Sequence, residues 1–260
     1  MVTDIGTVTM CIWGAIKTGK TTFGLTFPKP IVYLDLDQSF ERAEWRFAGL
    51  DVRKVSTIDA ATLAEGDVIK KAYLPVIKWP GANIADGYIN AWENYCQDFK
   101  TICENPRIRT IQVDTGTMAW RMAHQAQLER VQRHTPAKSR QNLLPVEYAR
   151  PNSDMRAIYA GARAMGKNLI LVHQVGGIYE DKLTPKGVEQ VRVGDTWDGW
   201  RELGAFVDVV VRANWKDRTE EPSIRIEVCG LIPAAEGITM VAPTFELVLG
   251  LINGMRGNGR

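Results

Sequence analysis

The stretch Gly14, Ala15, Ile16, Lys17, Thr18, Gly19, Lys20, Thr21 limits the fold of this chain more than any other feature, because it satisfies GxxxxGK[ST] in full. The residue types follow from chemistry. Successive backbone N–H groups curl into a concave nest for phosphate oxygens. The glycines let that curl form without Cβ clashes. A helix that starts at Lys20, Thr21 and Thr22 adds the partial positive charge of its N-terminus. Lys20 would reach the β- and γ-phosphate oxygens, and the Thr21 hydroxyl suits a Mg²⁺ ion. An apolar strand at residues 7–13 precedes the loop, and a short helix at 20–26 follows it and ends before Pro28. The motif carries meaning only in that strand–loop–helix setting. The expected ligand is ATP with Mg²⁺.

The rest of the chain reads as the α/β scaffold that such a loop needs. Short runs rich in Val, Ile or Leu lie at residues 7–13, 30–35, 109–114, 168–173, 208–215 and 223–229, each of strand length. Amphipathic segments lie between them at 88–103, 116–132 and 153–165, with a short one at 200–206. This alternation predicts a mostly parallel central sheet with helices on both faces. The last two strands flank a charged turn at 216–222 and predict a C-terminal antiparallel hairpin. In the segment 88–103, Tyr88, Trp92, Tyr95, Phe99 and Ile102 form a helical stripe that should pack on the sheet. With 260 residues, 45% hydrophobic and 24% charged, the chain can fill a core unaided. We expect a single domain over residues 1–253 and a flexible basic tail at 254–260.

Cys11, Cys96, Cys103 and Cys229 show no CxxC or metal spacing and read as reduced thiols of a cytoplasmic protein. His124, His134 and His173 are too scattered for a metal cluster. No apolar run approaches the ~20 residues of a membrane helix, and residues 1–6 carry no secretory signal pattern. Two stretches read as irregular: 133–152, with three prolines, and 176–198, with Gly176, Gly177, Pro185 and Gly187.

Polar residues sit at the ends of three predicted strands. The run Ile111, Gln112, Val113, Asp114 ends in a carboxylate, where a fold with this loop places the aspartate of the Mg²⁺ shell. Asp35 and Asp37 end the strand at 30–35 and, two residues apart, point the same way on an extended chain. An acid there either polarises the attacking water beside the γ-phosphate or caps the following turn. His173 and Gln174 end the strand at 168–173, facing the crevice where open α/β sheets bind ligands. Gln174 would sense the γ-phosphate, and His173 reads either as a sensor or as a satisfied core histidine.

In this order the signals resemble the RecA-type recombinase ATPase core, and more closely the small phage-encoded RecA-like ATP-binding proteins of single-strand annealing. The resemblance spans residues 5–215 and rests on the loop through Thr22, Asp35 and Asp37 after Phe27 to Pro30, Asp114 with Thr115, and His173 with Gln174. It implies a RecA-like P-loop NTPase fold and a slow, DNA-stimulated ATPase. The chain would assemble on single-stranded DNA with ATP–Mg²⁺, as a homo-oligomeric ring or filament, and release on hydrolysis. It would work in host cytoplasm, with a single-strand-binding protein as a further partner. The acid that acts on water is usually Glu in these proteins; here Asp37 stands one methylene shorter. Thr115 stands where Ser is frequent. ATP sites of the family often lie at subunit boundaries, which makes Arg212, Lys216 and Arg218 candidates for reaching a neighbour's γ-phosphate.

The same resemblance places two DNA-lining loops at the two irregular stretches. Residues 130–167 carry eight basic groups (Arg130, Arg133, Lys138, Arg140, Arg150, Arg156, Arg163, Lys167) against Glu147 and Asp154, a balance of +6 in a chain of net charge +2. Positive charge is thus concentrated where a phosphate backbone would lie. The second stretch adds Lys182, Lys186 and Arg192, with Tyr179 and Trp197 as stacking platforms. Its acids Glu180, Asp181, Glu189, Asp195 and Asp198 outnumber them. Two other readings share the loop: a partner-gated ATPase such as a helicase loader or packaging accessory, and a small-molecule kinase whose arginine-rich lid would be residues 133–156.

Overall fold

The computed structural model describes residues 6–38, 40, 51–58, 63–73, 76, 87–134, 140–184, 187–215 and 221–257. Lys138, Lys186, Lys216 and Arg218 lie outside these residues. Ten strands and five helices are described: β1 (Thr9–Trp13), α1 (Lys20–Gly24), β2 (Ile31–Asp35), β3 (Val52–Lys54), β4 (Val68–Ala72), α2 (Tyr88–Glu104), β5 (Thr110–Asp114), α3 (Gly116–His134), α4 (Ala149–Ala164), β6 (Asn168–Thr184), β7 (Gly187–Asp198), β8 (Val209–Asn214), β9 (Ser223–Cys229), β10 (Thr239–Val241) and α5 (Phe245–Gly257).

The sheet runs β10-β9-β8-β1-β6-β5-β2-β4-β3. From β3 to β8 every neighbour is parallel, and β9 and β10 close one side antiparallel. This is the mixed α/β class that the alternation of runs predicts. The central strands are apolar on both faces, as burial between two helical layers requires. Cys11, Trp13, Val32, Leu34, Ile111, Val113, Leu169 and Leu171 face one layer, shared with Trp92, Tyr95 and Phe99 of α2, Ala119 and Ala123 of α3, and Met155 and Tyr159 of α4. Met10, Ile12, Tyr33, Ile170 and Val172 face the other, shared with Phe23 of α1 and with Phe245, Val248 and Ile252 of α5. The stripe on α2 is therefore core: Trp92 stacks on Tyr95 at 5.3 Å, and its indole N–H donates to Asp154 of α4 at 3.0 Å.

Several expectations need correction. Residues 176–184 and 187–198 are no loop: β6 and β7 pair antiparallel from Gln174 with Asp198 out to Thr184 with Gly187. Gly176 and Gly177 are strand residues, and a methyl at Gly176 would stand 3.2 Å from the backbone of Trp197 and Asp198. Gly176 marks close backbone approach rather than a turn. Within 133–152, a 3₁₀ turn covers Pro145–Tyr148, and α4 starts at Ala149. Pro151 falls in its first turn, where the missing N–H had no helical partner anyway. At the other end, α5 reaches Gly257, so residues 254–257 are helical and not tail. Its two interior glycines weaken helix propensity, but Phe245 packs on Phe27 at 4.3 Å and fixes it to the core. The strands β3, β4 and β10 had no clear apolar run to announce them. Among the described residues, no helix is long and apolar enough to cross a membrane.

Candidate nucleotide site

The loop leaves β1 at Gly14, where the backbone passes β8 so closely that a Cβ would stand 2.4 Å from the Ala213 carbonyl oxygen. No other residue fits there. It returns at Gly19, whose φ of 84° is left-handed, and α1 starts at the next residue. Thr18 is buried and its hydroxyl donates to the Ala15 carbonyl at 2.9 Å, closing the loop on itself. Ile16 projects into solvent. Lys20 Nζ donates to the carbonyls of Gly14 at 2.9 Å and Ala15 at 2.6 Å, so its ammonium lies across the nest. Burial lowers its pKa, while Asp114 and Asp37 pull it back up.

Register brings the acids to the same edge. β5 lies beside β2 with Asp114 opposite Asp35, and the next residue of the chain, Leu36, donates its N–H to the Asp114 carbonyl at 2.7 Å. Asp114 is buried, and one of its oxygens accepts from the Thr21 hydroxyl at 2.6 Å and the Tyr33 hydroxyl at 2.9 Å. Desolvation pushes its carboxyl up to about 6; the Thr21 and Tyr33 hydrogen bonds oppose that, and Asp37 and Asp35 reinforce it. A hydroxyl and a carboxylate oxygen in contact are the hard donors that Mg²⁺ takes while keeping several waters. Thr21, Asp114, Lys20 and the loop amides therefore suit a Mg²⁺–triphosphate. Tyr33 had escaped the sequence reading; the period-2 pattern that sets it on one face with Asp35 was the available signal.

Asp35 and Asp37 part company. Asp35 is fully buried and its carboxylate meets Lys70 of β4 at 3.0 Å, with the ammonium also 4.9 Å from the Phe40 ring centroid. It holds an internal ion pair. Asp37 lies past the end of β2, half-buried, and its charge acts on both Lys20 and Asp114.

His173 sits opposite Trp13 in the β1–β6 register, and Gln174 follows it at the base of the β6–β7 hairpin. His173 Nδ1 donates to the Asp198 carbonyl at 2.9 Å, while Nε2 is buried without a hydrogen-bond partner. Burial pushes its pKa down to about 4. The Thr117 hydroxyl donates to the same Asp198 carbonyl at 2.5 Å and accepts from the Gln174 N–H at 3.2 Å. The first turn of α3, two residues beyond Thr115, is thereby tied to both strands of the hairpin. The Gln174 side chain is half-buried and has no partner among the described residues.

The basic residues are mostly spoken for. Arg130 pairs with Glu93 at 3.0 Å, Arg133 with Glu129, Arg140 with Glu147, Arg156 with Glu202 and Arg163 with Asp208. Lys167 is buried and donates to the Asn105 and Ile108 carbonyls. Four of these partners, Glu93, Glu129, Glu202 and Asp208, lie outside residues 130–167 and bring the local balance from +6 to +2, whereas Glu147 is already in the count. Arg150 and Lys182 are exposed with no ion pair among the described residues. Arg192 pairs with Asp195 at 2.6 Å. Arg212 meets the same Asp195 at 3.1 Å and lies 4.8 Å over the Trp13 ring, whose indole N–H donates to Glu227 at 2.7 Å. Arg212 therefore stands at the C-terminal end of β8, folded onto its own chain, beside a cavity of about 360 Å³ that Arg225 also lines. Tyr179 is exposed on the hairpin, whereas Trp197 packs against the core.

Residues 7–230 match the AAA domain family. The chain belongs to that family. Among solved structures, the AAA domain is similar to one described as the crystal structure of the RadB recombinase, with a TM-score of 0.43 and 17% identity, over 89% of this chain and 84% of that one. No curated protein matches. The AAA domain match ends inside the first residues after β9, so it covers the loop, both acidic strand ends, His173, Gln174 and the whole β6–β7 hairpin.

Proposed function

We propose that this AAA domain hydrolyses Mg²⁺–ATP and uses the nucleotide state to control a grip on single-stranded DNA, acting as a recombinase or annealing protein of the RecA-like type. The observation that carries the reading is the chain of contacts from the nucleotide site to the hairpin: Thr21 to Asp114, then Thr115 into α3, then Thr117 to Asp198 and Gln174. A change at the phosphate end has a short, hydrogen-bonded route to an element that projects from the sheet.

In this reading Lys20 leaves the Gly14 and Ala15 carbonyls for phosphate oxygens, a charge-assisted replacement for two neutral acceptors. Thr21 and Asp114 would hold Mg²⁺, which when bound would supply neutralisation of charge on the diphosphate. Asp37 orients the attacking water and takes its proton. Gln174, with an unengaged amide at the same edge, reads the γ-phosphate and passes its loss to the hairpin. Tyr179, Lys182 and Arg150 offer stacking and charge to DNA. Arg212 turns from Asp195 toward the nucleotide of an adjacent copy in a homo-oligomer.

One observation favours a second reading. The ion pairs on Arg130, Arg133, Arg140, Arg156 and Arg163 leave less free positive charge than DNA binding would use, which suits a partner-gated ATPase.

ATP hydrolysis by the purified protein, with and without single-stranded DNA, separates them. The DNA reading expects stimulation of tenfold or more, abolished in Lys20→Ala. Hydrolysis indifferent to DNA removes it and leaves the partner-gated reading.

A further inference from the structure

β2 and β5 lie side by side, with Tyr33 opposite Gln112 and Asp35 opposite Asp114. Tyr33 and Asp114 therefore share a face and stand diagonally across the two strands, within reach of a long side chain. The phenol spans the gap, and its hydroxyl donates to one Asp114 oxygen at 2.9 Å. Its ring is fully buried in the layer shared with Met10, Ile12 and Phe23, with its centroid 5.2 Å from that of Phe40. Packing in such a layer is served equally well by phenylalanine. A hydroxyl there has to be hydrogen-bonded to offset its desolvation, and Asp114 supplies the acceptor.

The oxygen that Tyr33 reaches is the one that also accepts from the Thr21 hydroxyl, at 2.6 Å. The second Asp114 oxygen accepts no hydrogen bond among the described residues. Two donors from different elements, a strand and the helix after the loop, thus grip one end of the carboxylate and fix the direction of the other end. The donors differ in one respect. The Thr21 hydroxyl is half-buried and is itself a candidate ligand of Mg²⁺. Tyr33 is sealed in the core and touches nothing that enters the site.

We propose that Tyr33 is a positioning residue of the metal site: its hydroxyl holds the Asp114 carboxylate in the orientation that turns the free oxygen toward the Mg²⁺ shell. The proposal rests on the reading of Thr21 and Asp114 as the Mg²⁺ donors of a triphosphate site. Hydrogen bonds behind a metal-binding group orient it, and their loss costs about 10- to 100-fold in metal affinity. Without the phenol hydroxyl, the carboxylate would be held by Thr21 alone, a group that has the metal to serve as well.

Calorimetric titration of wild type and Tyr33→Phe with a non-hydrolysable ATP analogue, once in saturating Mg²⁺ and once in chelator, tests this. The ratio of the two affinities measures what the metal adds. In chelator, Tyr33→Phe should match wild type, which also reports that the variant keeps its fold and its loop. Its gain from Mg²⁺ should shrink about tenfold or more, and the Mg²⁺ concentration for half-maximal hydrolysis should rise in proportion. A variant that is less stable in urea but keeps the full gain from Mg²⁺ would reduce Tyr33 to a core residue and overturn the proposal. An equal loss of affinity in both conditions would overturn it too, since the hydroxyl would then support the loop and not the metal donors. If wild type gains nothing from Mg²⁺, the reading of Thr21 and Asp114 fails and Tyr33 falls with it, while the loop reading stands. If the analogue binds wild type in neither condition, the loop reading itself fails.

Discussion

At the scale of single residues, the most telling group is His173, because its environment makes a pH prediction with a definite sign. The ring is wedged between Gly116 and Gly199: a methyl at Gly116 would stand 2.5 Å from Nε2, and one at Gly199 3.0 Å from the ring. A protonated ring would have to place a second N–H where there is no acceptor, so burial holds its pKa near 4, below the usual 6.5. The unfolded chain binds that proton below pH 6.5 and the folded chain does not. Stability is therefore intact above pH 6.5 and falls as pH drops toward 4. Between pH 7.5 and 4.5 this single group should remove about 2–3 kcal/mol. Urea denaturation of wild type and His173→Gln at both pH values isolates the effect, since packing losses in the variant are common to both. The stability loss on acidification should be smaller in the variant by that amount. Equal losses would mean that the histidine titrates freely. Sequence alone left His173 open between sensor and core residue, because nothing local to it announces Gly116 or Gly199, which lie 57 residues before and 26 after.

At the scale of elements, helix ends had to find partners that the chain does not place nearby. α2 starts after Gly87, which has a positive φ and no side chain to cap with. Glu129, buried in the middle of α3, supplies the acceptors: the Ile89 N–H donates to one oxygen at 3.0 Å and the Gly87 N–H to the other at 3.4 Å, and Arg133 one turn on supplies the countercharge. An anion at a helix N-terminus is favourable, and removing it leaves two part-buried donors unpaired. Glu129→Ala should lower stability by about 3 kcal/mol in urea denaturation, and Glu129→Gln by less, because the amide oxygen still accepts. A loss under about 1 kcal/mol for Glu129→Ala would show that water replaces the cap. Arg133, which charge counting along the chain assigned to DNA, belongs to this arrangement. The elements that could be read from sequence are those whose signal is local: the loop, the apolar strands β1, β2, β5, β8 and β9, the inner half of β6, the stripe on α2, and most of α3 and α4. β4 could not be, because Lys70 and Lys71 break its apolar run, and Lys70 is tolerated only where Asp35 arrives from β2.

At the scale of the whole molecule, the β6–β7 hairpin decides what kind of AAA domain this is. Its inner half belongs to the fold: Thr117 holds both strands, and Trp197 packs on the core. Its outer half does not. Ile178, Tyr179, Leu183, Val188 and Val193 are exposed there, with Leu183 87% accessible. Apolar side chains left in solvent along a projecting element have no stabilising role in the monomer and mark a contact surface. The sequence hid this, because Gly176 and Gly177 look like loop residues until the register with Asp198 is known. A short turn can then replace the outer half without disturbing the rest. Joining Ile178 to Gly194, partners in the ladder, through Asn-Gly excises residues 179–193 and keeps the Thr117 clamp. The excised protein should unfold within a few degrees of wild type and hydrolyse ATP at the same basal rate, since Lys20, Thr21, Asp37, Asp114 and Gln174 are untouched. On the proposed reading, the stimulation by single-stranded DNA expected of wild type should be absent from the excised protein. Full stimulation in the excised protein would move the DNA contact off the hairpin altogether. A collapse of basal hydrolysis with the fold intact would show instead that the outer strands take part in assembling the nucleotide site, because the excision leaves in place both the hydrogen-bonded path through α3 and the Asp195–Arg212 pair.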